Sequence, residues 1–404
     1  MNNLNNLLNE KKLVKIIAGI NNTNVENITN VIQALVPELA VLDFDAIEFY
    51  VGNAKQAAYY YRHAFGFDVV AFKGPETGCR NQASYYLKQG GVELVLSAGL
   101  EMESPIVQHV KKHGDGVKEI RFRSNNVTQA YEQAVQRGAI SVYEPIRLED
   151  EHGYIEKAAI QTYGDTIHVF VDRSPYHGVF EPGYAACQST FGHTGYVGLK
   201  RIDHIVGNVY EHDLDRWVDF YRSVFGFKVL CEFTEDEICT ENTALASKVV
   251  ANESLSIRMP INVPAQNAQA KGRSQIKEYL DYYHSEGAQH IAISTDDVVS
   301  AVRQLRDNGL GFIYVPQIYF DEAEKRIGPL PIEQTWADLA EQGILVDAER
   351  NGYLLQLFTQ PQEDLPTFFF EIIQRVGGAV GFGHGNFKAL FEAIERDQAL
   401  RGNL

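Results

Sequence analysis

Two of the twelve histidines in this 404-residue chain occupy matching places in a repeated pattern. His204 lies in RIDHIVGN and His290 in GAQHIAIST, each on the predicted first strand of a strand–helix module. Superposing the two halves of the chain on a shared Val-Gly-Asn sets His204 opposite Phe49 and His290 opposite Glu119, so one half carries imidazoles where the other does not. A two-histidine site with open positions typically takes one carboxylate to complete a facial triad. Glu371 is the candidate, because it sits in TFFFEIIQR between Phe370 and Ile372, where a solvated glutamate would be out of place. A carboxylate is almost never fully buried without a partner, and a cation supplies one. Two neutral imidazoles and one carboxylate suit Fe(II) with vacant coordination positions, and on ligand type alone they also admit Zn or Mn. His384, in VGFGHGNF, sits at a glycine-rich turn opening a helix and reads as a turn or cap residue.

The elements that must position these residues follow from the duplication, which fixes architecture before anything else. IEFYVGNAKQAAYYYRHAFGFDVV from Ile47 is matched by IDHIVGNVYEHDLDRWVDFYRSVFGFKVL from Ile202. GVKEIRFRSNNVTQAYEQAVQRGA from Gly116 is matched by GAQHIAISTDDVVSAVRQLRDNGL from Gly287. In the second pair, Asn or Asp stands where a helix N-cap belongs, ahead of an apolar face of Val127, Ala130, Tyr131 and Ala134, or Val298, Ala301, Val302 and Leu305. Short strand-like runs follow, punctuated by Gly90-Gly91, Gly164-Asp165 and Asn351-Gly352. The expectation is an α+β fold of four βαβββ modules, two per half, each half closing around a concavity. The Pro- and Gly-rich segment at residues 172–184 divides the halves. This gives a helical extension over 1–40, a metal-free domain over 41–185 and a metal-bearing domain over 186–404. The final helix carries Phe387, Leu390, Phe391 and Ile394 on one face after a glycine-rich hinge, and is expected to act as a lid.

Composition narrows the class of ligand. A formal charge of −17 with no block of Lys and Arg argues against nucleic acid or an anionic membrane, and no segment approaches a membrane-spanning run. The N-terminal stretch is too broken by Asn and Lys for a signal sequence, so a cytoplasmic location is expected. Cys79, Cys187, Cys231 and Cys239 are sparse, lack a CxxC spacing and fit a reducing compartment. A small molecule is the expected partner.

The runs RIDHIVGNV, GAQHIAIST, GILVDAERNGYLLQLFTQP and PTFFFEIIQRVGG, with GFGHGNFKALFEAIE at the end, resemble the 4-hydroxyphenylpyruvate dioxygenase family. The N-terminal half, through YGDTIHVFVDR and YHGVFEPGY, is similar to the same family, and the resemblance runs from about residue 40 to the C-terminus. It implies the vicinal oxygen chelate fold, one Fe(II) per chain held by His204, His290 and Glu371, and conversion of 4-hydroxyphenylpyruvate and O2 to homogentisate and CO2. It also implies substrate-lining roles for Ser247, Asn262, Gln275, Gln289 and Gln356 and an aromatic wall of Phe358, Phe369, Phe382 and Phe387. Related enzymes suggest a homodimer or homotetramer. Two departures from the family pattern, Leu365 and Arg258, are expected to touch no proposed site residue.

Three other readings stay open at this level. 4-Hydroxymandelate synthase resembles the family and oxidises the benzylic carbon of the same substrate, but tends to carry a smaller aliphatic residue in place of Phe382. A non-catalytic metal-binding protein of the same duplicated fold is a second. An extradiol catechol dioxygenase is a third, which the glutamine-rich pocket fits poorly.

Overall fold

The computed structural model describes residues 36–187, 195–235, 237, 240, 244–264, 272–328, 332–349 and 352–403. The expected extension over 1–40 therefore falls almost wholly outside the described residues, as do Cys239 and Asn351.

The N-terminal half consists of β1 (Asp43–Tyr50), α1 (Ala54–Phe65), β2 (Asp68–Lys73), β3 (Gln82–Gln89), β4 (Val92–Gly99), α2 (Pro105–His113), β5 (Gly116–Arg123), α3 (Val127–Gln136), β6 (Ser141–Asp150), β7 (Gly153–Gln161), β8 (Ile167–Asp172) and the short β9 (Ala185–Ala186). Its strands form one sheet in the order β6-β7-β8-β5-β1-β4-β3-β2-β9. This is two βαβββ modules joined by the antiparallel β1–β5 pair, with a parallel pair inside each module.

The C-terminal half repeats the plan with β10 (Leu199–Asn208), α4 (Leu214–Phe220), β11 (Lys228–Phe233), β12 (Leu245–Ala251), β13 (Arg258–Pro264), α5 (Gln275–Tyr283), β14 (Gly287–Thr295), α6 (Val298–Asp307), α7 (Gln317–Ile327), α8 (Trp336–Gln342), β15 (Leu345–Glu349), β16 (Gly352–Phe358), β17 (Phe369–Val376) and α9 (Phe387–Arg401). The sheet order is β11-β12-β13-β10-β14-β17-β16-β15, with β10 and β14 antiparallel at its centre. Each sheet is curled, and the helices that follow the module-opening strands cover it.

Local chemistry accounts for these helices. The side chains of Asn126 and Asp297 accept from the backbone N–H of Gln129 and Ser300, as their N-cap positions require. Behind those caps, Val127, Ala130, Tyr131 and Ala134 of α3 and Val298, Ala301, Val302 and Leu305 of α6 are all buried, the two faces expected from periodicity.

The strand pairing corrects one expectation. Ile47 pairs with Ile120 and Glu48 with Glu119, whereas Ile205 pairs with Ile291 and Val206 with His290. Aligning those registers keeps Glu119 opposite His290 but places Ala46, not Phe49, opposite His204. The shared Val-Gly-Asn is not one structural feature. In the first half Asn53 caps α1, while Gly207 and Asn208 are still inside β10. Gly207 is needed there because a Cβ would lie 2.8 Å from the ring of the fully buried Tyr163.

Candidate metal centre and its cavity

Sheet register brings the three proposed ligands together. β14 lies between β10 and β17, and Ala292 pairs with His204 on one side and Glu371 on the other. His290 projects from β14 two residues earlier, toward the same concave face. The candidate ligand atoms of His204, His290 and Glu371 lie within 4.8 Å of one another, and all three residues are buried. Glu371 Oε2 is 3.2 Å from His204 Nε2 and 3.6 Å from His290 Nε2.

Both imidazoles are held by their other nitrogen. His204 Nδ1 lies 2.8 Å from Asp203 Oδ1 and His290 Nδ1 lies 3.2 Å from Gln289 Oε1. Since both partners are acceptors, each Nδ1 carries a proton, which leaves each Nε2, facing Glu371, as the nitrogen a metal would take. Neighbouring side chains on a strand ordinarily face opposite ways, and the register shift between Ile202 and His204 is what lets Asp203 reach its neighbour.

The electrostatics favour a cation at this point. Burial pushes the Glu371 carboxyl upward, but His204 and His290 outweigh it and hold the group at about 2. Burial pulls His290 down, whereas for His204 the charges and hydrogen bonds of Glu371 and Asp203 overcome burial and raise it. Glu371 Oε1 is buried with no hydrogen-bond partner. A carboxylate that turns Oε2 toward two imidazole nitrogens and keeps its other buried oxygen, Oε1, without a partner fits a divalent metal with two N and one O ligands.

A cavity lined mainly by apolar and aromatic side chains with a few polar groups opens from this centre, the composition of a small-molecule site. Ser247, Asn262, Gln275, Gln289, Phe358, Phe369, Phe382 and Phe387 all line it, together with the three proposed ligands. Ser247 and Asn262 are cross-strand partners in β12 and β13, so their polar groups meet on one face. Phe358 pairs with Glu371 and Phe369 with His290, which sets two rings beside the ligands; the Phe369 ring stacks on His290 at 4.8 Å. Leu390, Phe391 and Ile394 of α9 also face the cavity, giving the apolar stripe of the last helix its partner.

One expectation needs revision, and one side chain lies nearer the site than its sequence context signalled. Gln356 is buried but is not on the cavity wall; its amide nitrogen has no partner and packs behind Gly383, where a Cβ would lie 2.2 Å from it. Arg258 is not remote from the site, because its Nη1 donates to Asp203 Oδ2 at 3.1 Å, one residue from His204. Leu365 does stand apart, beside Gly114. His384 sits in a single 310 turn before α9 and stacks on Phe233 at 5.7 Å, as a turn residue would. Sequence reasoning missed Val206, Phe233, Leu245, Val249 and Pro260 on the wall. Only the i, i+2 alternation of Leu245, Ser247 and Val249 signalled any of them.

Among the described residues, the N-terminal half has no such centre. The counterparts of the three ligands are Ala46, Glu119 and, by the parallel registers of β8 and β17, Val169. Glu119, Glu48 and Glu181 instead surround the buried Arg121 guanidinium. Fixed side-chain cations, Arg121 and the Lys157 that also pairs with Glu181, thus stand among these three carboxylates.

Comparison with known proteins agrees with this geometry. Residues 37–181 match the family described as hydroxyphenylpyruvate dioxygenase, HPPD, N-terminal, and residues 201–325 match the glyoxalase/bleomycin resistance protein/dioxygenase superfamily. A 4-hydroxyphenylpyruvate dioxygenase of Aspergillus fumigatus is 41% identical over 89% of this chain and 94% of its own length. Those of Dictyostelium discoideum and Xenopus tropicalis are each 42% identical, over 89% and 90% of this chain and 99% and 93% of theirs. Among solved structures, a triple mutant of 4-hydroxymandelate synthase from Streptomyces coelicolor matches with a TM-score of 0.76 and 28% identity over 90% of this chain and all of that one. A buried His-His-Glu centre in a duplicated βαβββ fold, with this identity along nearly the whole chain, makes the chain a member of the 4-hydroxyphenylpyruvate dioxygenase family.

Proposed function

We propose that the chain is a dioxygenase converting 4-hydroxyphenylpyruvate and O2 to homogentisate and CO2, with one Fe(II) held by His204, His290 and Glu371. The observation that carries the metal reading is the buried Glu371 carboxylate, which sets Oε2 against the Nε2 of both imidazoles and leaves its buried Oε1 without a partner. Bound Fe(II) would supply the oxygen chemistry and a chelation point for the 2-oxo acid. The protein's own part is to bind, orient and keep water out. Phe369 and Phe358 pack against His290 and limit where the substrate ring can lie. Gln275 and Gln289 offer amides that both donate to and accept from a phenol hydroxyl without ionising it, while Ser247 and Asn262 offer a second polar patch. Leu390, Phe391 and Ile394 cover the cavity as the inner face of a lid.

Ring hydroxylation is favoured over benzylic hydroxylation by Phe382, whose ring stands 5.1 Å from that of His204 and fills space beside the ligands. The higher identity to the dioxygenases than to the synthase supports the same choice. Phe382→Ile is expected to move product toward 4-hydroxymandelate by chromatography; an unchanged product ratio would remove Phe382 from this role. We further propose a homodimer or homotetramer in a reducing cytoplasm, the latter supported by sparse unpaired cysteines.

A further inference from the structure

Behind the metal centre lies an arrangement that occurs twice in the molecule but holds a ligand only once. Asp203, 1% exposed, receives Arg375 side-on, with Nε 2.9 Å from Oδ2 and Nη2 2.8 Å from Oδ1, and receives Arg258 Nη1 at 3.1 Å. The remaining Arg375 nitrogen, Nη1, donates to Gly381 O at 2.6 Å, and the guanidinium carbon stands 5.6 Å from the centre of the Phe382 ring. That ring meets His204 edge-on. A closed loop of contacts therefore runs from His204 through Asp203 and Arg375 to Phe382 and back to His204.

The N-terminal half contains the same parts without the imidazole. Strand register makes Asp45 the counterpart of Asp203 and Arg173 the counterpart of Arg375, and Phe180 follows Arg173 by seven residues as Phe382 follows Arg375. Arg173 donates to Asp45 at 2.6 Å and lies 4.8 Å from the Phe180 ring centre. Two things differ. Ala46 stands where His204 does, so Asp45 has no imidazole to orient. Glu93, which bonds Arg173, stands where Arg258 would fall. The contact common to both halves is thus a staple of the sheet, and only in the C-terminal half is there a candidate ligand to hold and a second cation to hold it with.

We infer that Asp203, Arg375 and Arg258 are positioning residues that lock the His204 imidazole toward the metal and tie it to the Phe382 wall, so that metal affinity and product choice are set by one relay. The inference rests on the metal and product readings above. An Arg fork fixes a carboxylate in one plane, a lysine does not, and a carboxylate that accepts from the non-ligating nitrogen fixes tautomer and ring angle.

Matched substitutions in the two halves test it. Chelator-stripped full-length wild type, Arg375→Lys, Asp203→Asn, Arg258→Met and Arg173→Lys are titrated with Co(II), and the Fe(II)-loaded proteins are assayed for the ratio of homogentisate to benzylic product. Roughly 10–100-fold weaker Co(II) binding is expected for Arg375→Lys and Asp203→Asn, a smaller loss for Arg258→Met, and a shifted product ratio for Arg375→Lys. Arg173→Lys should lower only the melting temperature of the stripped protein. If Asp203→Asn does not fold, Arg258→Met, which leaves the Asp203–Arg375 fork in place, carries the same comparison. Wild-type Co(II) affinity and product ratio in all C-terminal variants would overturn the relay and leave two equivalent sheet staples. Wild-type protein that takes up no Co(II) would overturn the metal reading beneath it.

Discussion

At the scale of single residues, the site is a set of polar groups whose protonation and direction are already settled by their neighbours. Glu371 is held ionised by two imidazoles, and each imidazole is held by an acceptor on its far nitrogen. Binding a cation costs little rearrangement in such a site, and its free energy should appear as folding stability. At 100-fold excess over the dissociation constant, ligand binding adds about 2.7 kcal/mol. The melting temperature of the wild-type protein should therefore climb with added Fe(II) or Co(II) in calorimetry, and that of Glu371→Ala should not. An equal rise in both would mean the metal sits elsewhere.

At the scale of elements, the cavity is closed by α9, which is fastened at its far end. Arg401 donates to the buried Glu278 of α5 at 2.9 Å and Asn403 at 2.8 Å, while Gln398 reaches Arg273 O at 3.1 Å. Because α5 also carries Gln275, the lid and one polar wall move as a unit. Deleting residues 384–404 should abolish turnover while the metal, held entirely by strands, still binds; unchanged turnover would reduce α9 to core packing. Much of this was legible in sequence. The helix faces behind Asn126 and Asp297, the βαβββ order and the inward stripe of α9 all follow from caps and periodicity, because those signals are local. Register was not legible. A repeated tripeptide that ends a strand in one half and lies within it in the other displaced His204 by three places against its true counterpart, and no local pattern reveals which pairing the sheet adopts. Gln356 was misplaced for a related reason. Burial of an amide in an apolar strand was read correctly, but which layer lies in front of it depends on the loop at Gly383. Arg258 was set aside because its partner, Asp203, comes from a different strand 55 residues earlier.

At the scale of the whole molecule, the two halves meet over buried aromatic and histidine side chains. His168 of β8 packs on Phe225 and bonds the Tyr221 hydroxyl at 2.8 Å, and His113 of α2 stacks on Tyr283 beside His109. Burial pulls both His168 and His109 down to about 3, with His113 adding to the shift of His109. Both are depressed below the ordinary histidine value of about 6.5, so the stability they confer as neutral groups is complete above that pH and is lost as pH falls toward about 3. The melting temperature should accordingly decline from pH 6.5 downward as the interface between the halves takes up protons. His168→Gln, which keeps a hydrogen-bond partner for Tyr221 but gains no proton, should flatten that decline; an unaltered acid limb would exclude His168 as its source. In the function proposed above, this architecture holds one ferrous ion against a 2-oxo acid. The most direct test is anaerobic loading with Fe(II), followed by oxygen uptake and product identification with 4-hydroxyphenylpyruvate for wild type, Glu371→Ala and His290→Ala. Oxygen consumed and homogentisate released by wild type, with both lost in the two variants, is the predicted result; bound iron with no oxygen uptake, or turnover surviving either substitution, would contradict it.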